Sequence, residues 1–207
     1  MAVEIELKAR LDDYESVRER LFTLGEYCRA YLKSDTYWLP APSNAGQWSI
    51  PSGVRVRRES GVNADGSAFG SILVTYKTKE ITDGIEVNDE CEFTVSDAPV
   101  FEELLTRMGL LQTHHKEKKG WAWLVPPHAA AKPPPILAEL SLVAGLGWFL
   151  EIEIQVAAAA GQTVDESRRR LLALLEKLEI PAERIEPRPY TVMLKVTEEQ
   201  RSAKERL

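Results

Sequence analysis

The chain has 207 residues, a length that suits one domain and allows a sizeable core without disulfides or metal staples. Its 44% hydrophobic and 28% charged residues argue against a disordered chain, and its net charge of −6 argues against a general nucleic-acid binder. Two cysteines lack CxxC spacing, no apolar run is long enough to span a bilayer, and the N-terminus has no apolar leader segment. We therefore expect a cytoplasmic protein.

Helical periodicity, together with capping or breaking residues, marks three segments along the chain, and a fourth, short helix is proposed near the C-terminus. The first is expected to open on the capping pair Asp12 and Glu15 and to stop at Gly25. A short helix near the C-terminus is expected to be followed by a charged tail, 197–207, that frays. The predicted helices cover 12–24, 97–108, 164–179 and 190–196.

Strands are predicted for most of the remaining chain, and one unit occurs three times. A Glu-x-Glu strand precedes each of the first three predicted helices, at 4–7, 90–93 and 151–154. Further strands lie between these units, and a hairpin connection is expected at 61–70. The order indicates an α+β protein with an antiparallel sheet rather than alternating parallel units.

Charged side chains alternate with apolar ones along six predicted strands, so each strand carries charges on one face. The charged faces contain Glu4, Glu6 and Lys8; Arg55 and Arg57; Lys77 and Lys79; Glu90 and Glu92; Lys116 and Lys118; and Glu151 and Glu153. The simplest interpretation is a half-buried sheet with one solvated face. Against it, the strands separate by sign, and the apolar helix stripes need an apolar sheet surface to cover. We therefore predict a closed antiparallel barrel of about eight strands, with flanking helices outside and charges inside.

Such an interior is costly unless a ligand compensates its charges. Guanidinium and ammonium groups bind phosphate oxygens, and carboxylates bind Mg²⁺ or Mn²⁺. The pattern therefore predicts a polyanion held together with divalent cations.

Several motifs, taken in order, resemble those of one family. They are Glu4-Ile5-Glu6-Leu7-Lys8, Asp35-Thr36-Tyr37, Val54-Arg55-Val56-Arg57, Thr75-Tyr76-Lys77, Glu90-x-Glu92, Lys116-x-Lys118 and Gly145-Leu146-Gly147-Trp148-Phe149-Leu150-Glu151-Ile152-Glu153. On these residues the chain is identified as a member of the CYTH superfamily, the triphosphate tunnel metalloenzymes. The first and last motifs look most like the CyaB branch of class IV adenylyl cyclases. The resemblance implies a single domain over 1–196.

The resemblance also implies roles for individual residues. Binding of the triphosphate is assigned to Lys8, Arg55, Arg57, Lys77, Lys79, Lys116 and Lys118. Metal ligands, direct or through water, are expected to be Glu4, Glu6, Glu90, Glu92, Glu139, Glu151 and Glu153. Catalytic roles are assigned to Lys8, Arg57, Lys77 and Glu139.

Two departures from the CyaB pattern bear on the reaction. The family usually has Asp where this chain has Ser141, and Glu139, two residues earlier on the same strand face, could replace that ligand. Lys118 stands where arginine is common, which removes a bidentate donor. Nearby, Asp35 is expected either to orient a basic neighbour or to lie at a surface turn, and Tyr37 and Trp38 are expected to pack in the sheet.

The implied function is a metal-dependent enzyme acting on a triphosphate, with conversion of ATP to cyclic AMP and pyrophosphate as the first hypothesis. The alternatives are a triphosphatase acting on thiamine triphosphate, a nucleoside triphosphate or tripolyphosphate, and a non-catalytic sensor of nucleotide or polyphosphate. An RNA-end triphosphatase is less favoured because the chain is not basic. The expected partners are Mg²⁺ or Mn²⁺ and a small-molecule triphosphate, with no membrane or nucleic acid, in a monomer or homodimer.

Overall fold

The computed structural model describes residues 2–41, 53–82, 85–127, 133–157 and 161–204. Within these ranges the strands are β1 (Ala2–Leu11), β2 (Glu26–Pro40), β3 (Val54–Asn63), β4 (Ala68–Thr82), β5 (Ile85–Thr94), β6 (Leu110–Val125), β7 (Ile136–Val143) and β8 (Gly147–Ala157). The α-helices are α1 (Tyr14–Leu24), α2 (Ala98–Arg107), α3 (Gly161–Lys177) and α4 (Tyr190–Lys204), and a short 3₁₀ helix covers Ala182–Arg184.

The eight described strands form one closed barrel in the order β1-β5-β4-β3-β2-β6-β7-β8. Every neighbouring pair is antiparallel, and β8 returns to pair with β1 along its length. Closure leaves no unpaired sheet edge between the first and last strands. The predicted antiparallel barrel with flanking helices is confirmed.

The apolar faces of the strands point outward, and helices cover parts of them. Ile5 and Leu7 of β1 are fully buried in the same cluster as Leu171 and Leu175 of α3 and Leu21 of α1. A second cluster packs apolar residues of β3 and β4 against α2. The helices therefore cover these two parts of the outer wall, and the charged faces of the same strands turn toward the barrel interior.

Helix boundaries differ from the prediction at several ends. Asp13, rather than Asp12, caps α1, because its carboxylate accepts the backbone N–H of Ser16 at 3.1 Å. Helix α3 already begins at Gly161, so the predicted start after Thr163 is wrong. Helix α2 agrees with the prediction, with Asp97 as its cap.

Helix α4 is longer than predicted, because it continues from Tyr190 to Lys204 through the segment that was expected to fray. The proposed domain boundary at 196 remains a prediction. The first turn of α4 packs at one end of the barrel, where Tyr190 and Met193 form a buried cluster with Val143 and Phe149. Phe149 is two residues before Glu151 and shares its strand face, so this cluster closes one end of the interior.

Two smaller predictions from the strand pattern are also confirmed. The three Glu-x-Glu segments lie on β1, β5 and β8, each of which directly precedes a helix. β3 and β4 form the expected hairpin, with a turn at 64–67 between them. Among the described residues, no helix combines the length and the apolar character needed to cross a membrane.

Candidate active site

A cavity of about 630 Å³ occupies the barrel interior and is lined mainly by charged side chains. Twelve of the fourteen predicted site residues line it: Glu4, Glu6, Lys8, Arg55, Arg57, Glu90, Glu92, Lys116, Lys118, Glu139, Glu151 and Glu153. The remaining two, Lys77 and Lys79, lie on β4, and their side chains are outside the described part of the chain. The alternation of strand side chains thus brings six strands' charges into one space, while their chemical roles stay predictions.

Asp35 organises one group of cations inside the barrel. Its carboxylate is fully buried and accepts two hydrogen bonds from Arg57, at 2.7 and 2.9 Å. Lys116 Nζ lies 3.0 Å from the same carboxylate. Burial alone would raise the pKa of Asp35, but Lys116 and Arg57 outweigh burial and hold that pKa well below its usual range. Asp35 therefore orients two basic neighbours, and the alternative of a surface turn is wrong.

A second group of ion pairs centres on Lys118. Its ammonium contacts Glu151 closely and lies 3.2 Å from Glu139, which also contacts Lys33. Burial disfavours charge on Lys118, yet Glu151 and Glu139 hold its pKa well above the usual range. Burial also opposes ionisation of Glu151, but Lys118 and Lys116 lower its pKa to about 2.

Carboxylates face one another across neighbouring strands in this part of the barrel. Glu6 of β1 stands directly opposite Glu153 of β8, and Glu139 of β7 stands directly opposite Glu151. Burial, followed by the charges of Glu139 and Glu6, raises the pKa of Glu153 to about 8. Like charges in directly opposed positions are destabilising unless a cation compensates them.

This carboxylate arrangement fits a divalent cation that also binds phosphate. Among the described residues, no three acidic, histidine or cysteine side chains are already gathered to hold a metal ion. Mg²⁺ is usually held by only one or two carboxylates, with water and substrate phosphates completing its coordination. The opposed pairs Glu6–Glu153 and Glu139–Glu151 offer such ligands on strands that face one cavity.

Arg55 belongs to a third, more open group. Its Nη2 donates to Thr75 Oγ1 at 2.9 Å and lies 3.4 Å from Glu90 and 3.7 Å from Glu92. Thr75 in turn donates to Glu92 at 3.0 Å. Glu92 is the most exposed of these carboxylates, with 40% of its side chain accessible. This group therefore lies where the interior meets solvent.

The C-terminal segment contacts the cavity at Lys8. Lys8 Nζ donates to the backbone carbonyl of Arg188 at 2.8 Å, and Pro189, Tyr190 and Thr191 line the cavity. Glu186 holds this segment in place, because it accepts hydrogen bonds from Arg188 and from Arg10. The start of α4 is thereby fixed beside a predicted phosphate-binding lysine.

Sequence reasoning missed several cavity-lining residues. Lys33 and Glu59 line the cavity, and each is two residues from a residue that the prediction considered, Asp35 and Arg57. The rule that side chains two apart on a strand share a face would therefore have predicted both. Tyr37, which was predicted to pack in the sheet, also lines the cavity, and its ring centroid lies 5.7 Å from Lys116 Nζ. Trp38 packs as predicted, because it is buried in the apolar cluster under α2.

The position that departs from the CyaB pattern is buried at the edge of this site. Ser141 is fully buried, and its hydroxyl lies 2.6 Å from the hydroxyl of Tyr31. Glu139 lines the cavity on the same strand face, two residues away. A carboxylate is therefore present near the position where the family usually has Asp, although it is displaced along β7.

The fold and the interior together define a tunnel protein, an antiparallel barrel whose ionic groups face an enclosed channel. The CYTH domain model matches residues 2–190, and the chain belongs to the CYTH domain family. A Methanocaldococcus jannaschii protein named "putative adenylate cyclase" is 23% identical over 193 residues, which cover 91% of this chain and 96% of that protein.

Solved structures show the same fold at low identity. The PH1819 protein of Pyrococcus horikoshii aligns with a TM-score of 0.70 at 21% identity, over 93% of this chain and 98% of that chain. A Hippeastrum protein, described as a "putative adenylyl cyclase" that reveals a dominant triphosphatase activity, aligns with a TM-score of 0.60 at 12% identity, over 95% of this chain and 96% of that chain. At these identities the similarity extends to the fold alone.

Proposed function

We propose that the protein is a metal-dependent enzyme that binds a triphosphate inside the barrel and breaks one of its phosphoanhydride bonds. The main support is the convergence of Lys8, Arg55, Arg57, Lys116 and Lys118 with the seven predicted carboxylates in one cavity, six of which are buried or partly buried. Membership of the CYTH domain family supports the same conclusion. A surface that merely favoured solubility would not bury these groups together.

The cationic residues supply the phosphate-binding part of the site. Arg57 is held in a fixed plane by its two hydrogen bonds to Asp35, so its remaining donors face the cavity in a defined orientation. Lys116 is held by the same carboxylate, and Lys8 by the Arg188 carbonyl. These contacts preorganise the donors, which lowers the cost of orienting them around a phosphate. Lys77 and Lys79 are assigned to the same role by the sequence pattern.

The carboxylates supply the metal-binding part of the site. We assign Glu6, Glu153, Glu139 and Glu151 as the main ligands, with Glu4, Glu90 and Glu92 completing the acidic surface. A bound Mg²⁺ or Mn²⁺ would neutralise charge on the phosphates during transfer. The lysines that contact Glu139 and Glu151 keep these carboxylates ionised and therefore able to act as ligands.

Our first candidate reaction is cyclisation of ATP, in which the ribose 3′-hydroxyl attacks the α-phosphorus and pyrophosphate leaves. The CyaB-like motifs and the similarity to the named cyclase homologue favour it. The second candidate is hydrolysis, in which water attacks the terminal phosphorus. Burial of Ser141 against Tyr31, at the position where the family usually has an acidic ligand, favours this candidate.

One experiment separates the candidates. Purified protein is incubated with ATP, thiamine triphosphate or tripolyphosphate, with Mg²⁺, with Mn²⁺ or with EDTA. Cyclic AMP and pyrophosphate would identify a cyclase, and orthophosphate would identify a triphosphatase. Tight binding without turnover would contradict the enzyme proposal and favour a sensor.

Replacement of Glu6 by alanine tests the site. Glu6→Ala removes a carboxylate opposite Glu153, so we expect turnover to fall at least 100-fold with an unchanged circular dichroism spectrum. The matched control is Glu117→Ala, because Glu117 is an exposed carboxylate on β6 that does not line the cavity. Full turnover by Glu6→Ala would contradict the assignment.

A further inference from the structure

Tyr190, the first residue of α4, brings an aromatic ring into the end of the barrel. Its side chain is buried, with 6% of the residue accessible, and it lines the cavity. The ring packs edge-on against Phe149, with centroids 5.0 Å apart and planes at 87°. Tyr190 is therefore packed within the cluster at this end of the barrel.

The hydroxyl of Tyr190 makes no hydrogen bond with any residue that the structure describes. A buried, unsatisfied hydroxyl is costly and uncommon in folded proteins. Tyr31 shows the usual arrangement inside the same barrel, because its hydroxyl is 2.6 Å from Ser141 Oγ. The contrast indicates that the partner of the Tyr190 hydroxyl lies outside the side chains that the structure describes, and a bound ligand would supply one.

Two predicted phosphate-binding lysines flank the ring. Lys8 Nζ lies 4.6 Å and Lys116 Nζ 4.9 Å from the centroid of the Tyr190 ring. A phosphate oxygen bound to either ammonium would lie about 2.9 Å from its nitrogen, a position from which it can reach the edge of the ring that carries the hydroxyl. Burial, together with Glu151 and Glu6, raises the pKa of Tyr190 well above its usual range. The phenol therefore stays protonated and can act as a donor.

We infer that the Tyr190 hydroxyl donates a hydrogen bond to a phosphate oxygen of the triphosphate that Lys8 and Lys116 hold. This inference rests on the proposed function. It adds to the strand residues a ligand-binding group from α4, and so makes the start of that helix part of the binding site.

The test compares Tyr190→Phe with Tyr31→Phe, two variants that each lose one hydroxyl. Binding of tripolyphosphate with Mg²⁺ is measured by calorimetry, and the melting temperature is measured without ligand. Tyr190→Phe keeps the ring beside both lysines, so we expect an unchanged or slightly higher melting temperature and about 10- to 100-fold weaker binding. Tyr31→Phe leaves Ser141 without its partner, so we expect its melting temperature to fall by about 2–4 °C.

The outcomes distinguish this inference from the function on which it rests. If the unmodified protein binds tripolyphosphate and Tyr190→Phe binds it equally well, the inference is overturned and the proposed function survives. If Tyr190→Phe lowers the ligand-free melting temperature as Tyr31→Phe does, the hydroxyl has a structural role and the inference is again overturned. If the unmodified protein binds none of tripolyphosphate, ATP and thiamine triphosphate, the proposed function fails and the inference fails with it.

Discussion

Two groups of ion pairs inside the barrel differ in how their buried charges are paired. In the cationic cluster, which consists of Asp35, Arg57 and Lys116, a single carboxylate serves two cations. In the mixed cluster, which consists of Lys33, Lys118, Glu139 and Glu151, the charges are shared: Lys118 contacts both carboxylates, and Glu139 contacts both lysines. The first cluster has one cation in excess, and the second is balanced within itself.

The difference between the clusters matches the two parts of the proposed ligand, the triphosphate and its metal ion. An excess cation fixed by a buried carboxylate suits a phosphate oxygen, which would supply the missing negative charge. The mixed cluster stands next to the opposed carboxylates Glu6 and Glu153, where additional positive charge would be stabilising. The triphosphate would thus bind at the cationic cluster, and its metal ion beside the opposed carboxylates.

The comparison also predicts that the cationic cluster depends more strongly on a single residue. In Asp35→Asn, Arg57 and Lys116 lose the carboxylate that contacts them both. We expect the free energy of unfolding to fall by about 3–5 kcal/mol, because two buried cations lose the counter-ion that contacts them directly. Urea denaturation measures this loss.

Added tripolyphosphate provides the internal control for Asp35→Asn. If the excess positive charge attracts phosphate, the ligand should restore part of the lost stability, because it supplies the missing anion. A loss below about 1 kcal/mol would show that Asp35 is not the dominant counter-ion of this cluster.

The mixed cluster should tolerate the equivalent change better. In Glu139→Gln, Lys118 keeps Glu151, and Lys33 keeps Glu59, which lies 3.9 Å away. We expect a loss of about 1–3 kcal/mol in the free energy of unfolding, measured by the same urea titration. Glu117→Gln on the outer face of β6 is the matched control, with an expected change within about 0.5 kcal/mol. A loss as large as that of Asp35→Asn would refute the idea that shared pairing gives redundancy.

The sequence was sufficient for the barrel and for most of its charged interior, because both follow from strand alternation. Side chains two apart share a face regardless of tertiary detail, so the direction of Glu4, Arg55 or Glu151 depends only on the strand assignment. Asp35 shows the limit of this reasoning. Its face was predictable, but its contact with both Arg57 and Lys116 depends on the registers of β2 with β3 and β6.

The remaining differences between prediction and structure arise where two neighbouring residues could serve almost equally well, or where tertiary packing determines the outcome. Asp12 and Asp13 are adjacent carboxylates that could each cap α1, and the local pattern does not distinguish them. The charged segment after Val196 is rich in good helix formers, so α4 continues where its polarity suggested fraying. Tyr190 reaches the cavity only because the C-terminal segment folds back over β1, which no local periodicity reveals.

The position of Lys8 can also be changed through Glu186, a residue that does not line the cavity. This buried carboxylate accepts hydrogen bonds from Arg188 at 2.7 Å and Arg10 at 3.1 Å, and so anchors the segment whose carbonyl holds Lys8. Hydrogen bonding from Arg188, followed by Arg10, lowers the pKa of Glu186 to about 2, from a usual value of 4.5. Because the folded-state pKa is lowered, the stabilisation is complete above about pH 4.5 and is lost as the pH falls toward 2.

We therefore expect Glu186→Gln to lower the melting temperature by about 2–4 °C at pH 7, with the deficit shrinking as the pH falls from about 4.5 to 2. Melting curves of both proteins across this range measure the effect. Glu179→Gln is the control, since Glu179 pairs with Arg20 while 71% of its side chain is exposed, and its effect should stay below about 1 °C. A deficit for Glu186→Gln that persists unchanged at pH 2 would mean that shape, rather than the ionised carboxylate, anchors the segment over Lys8.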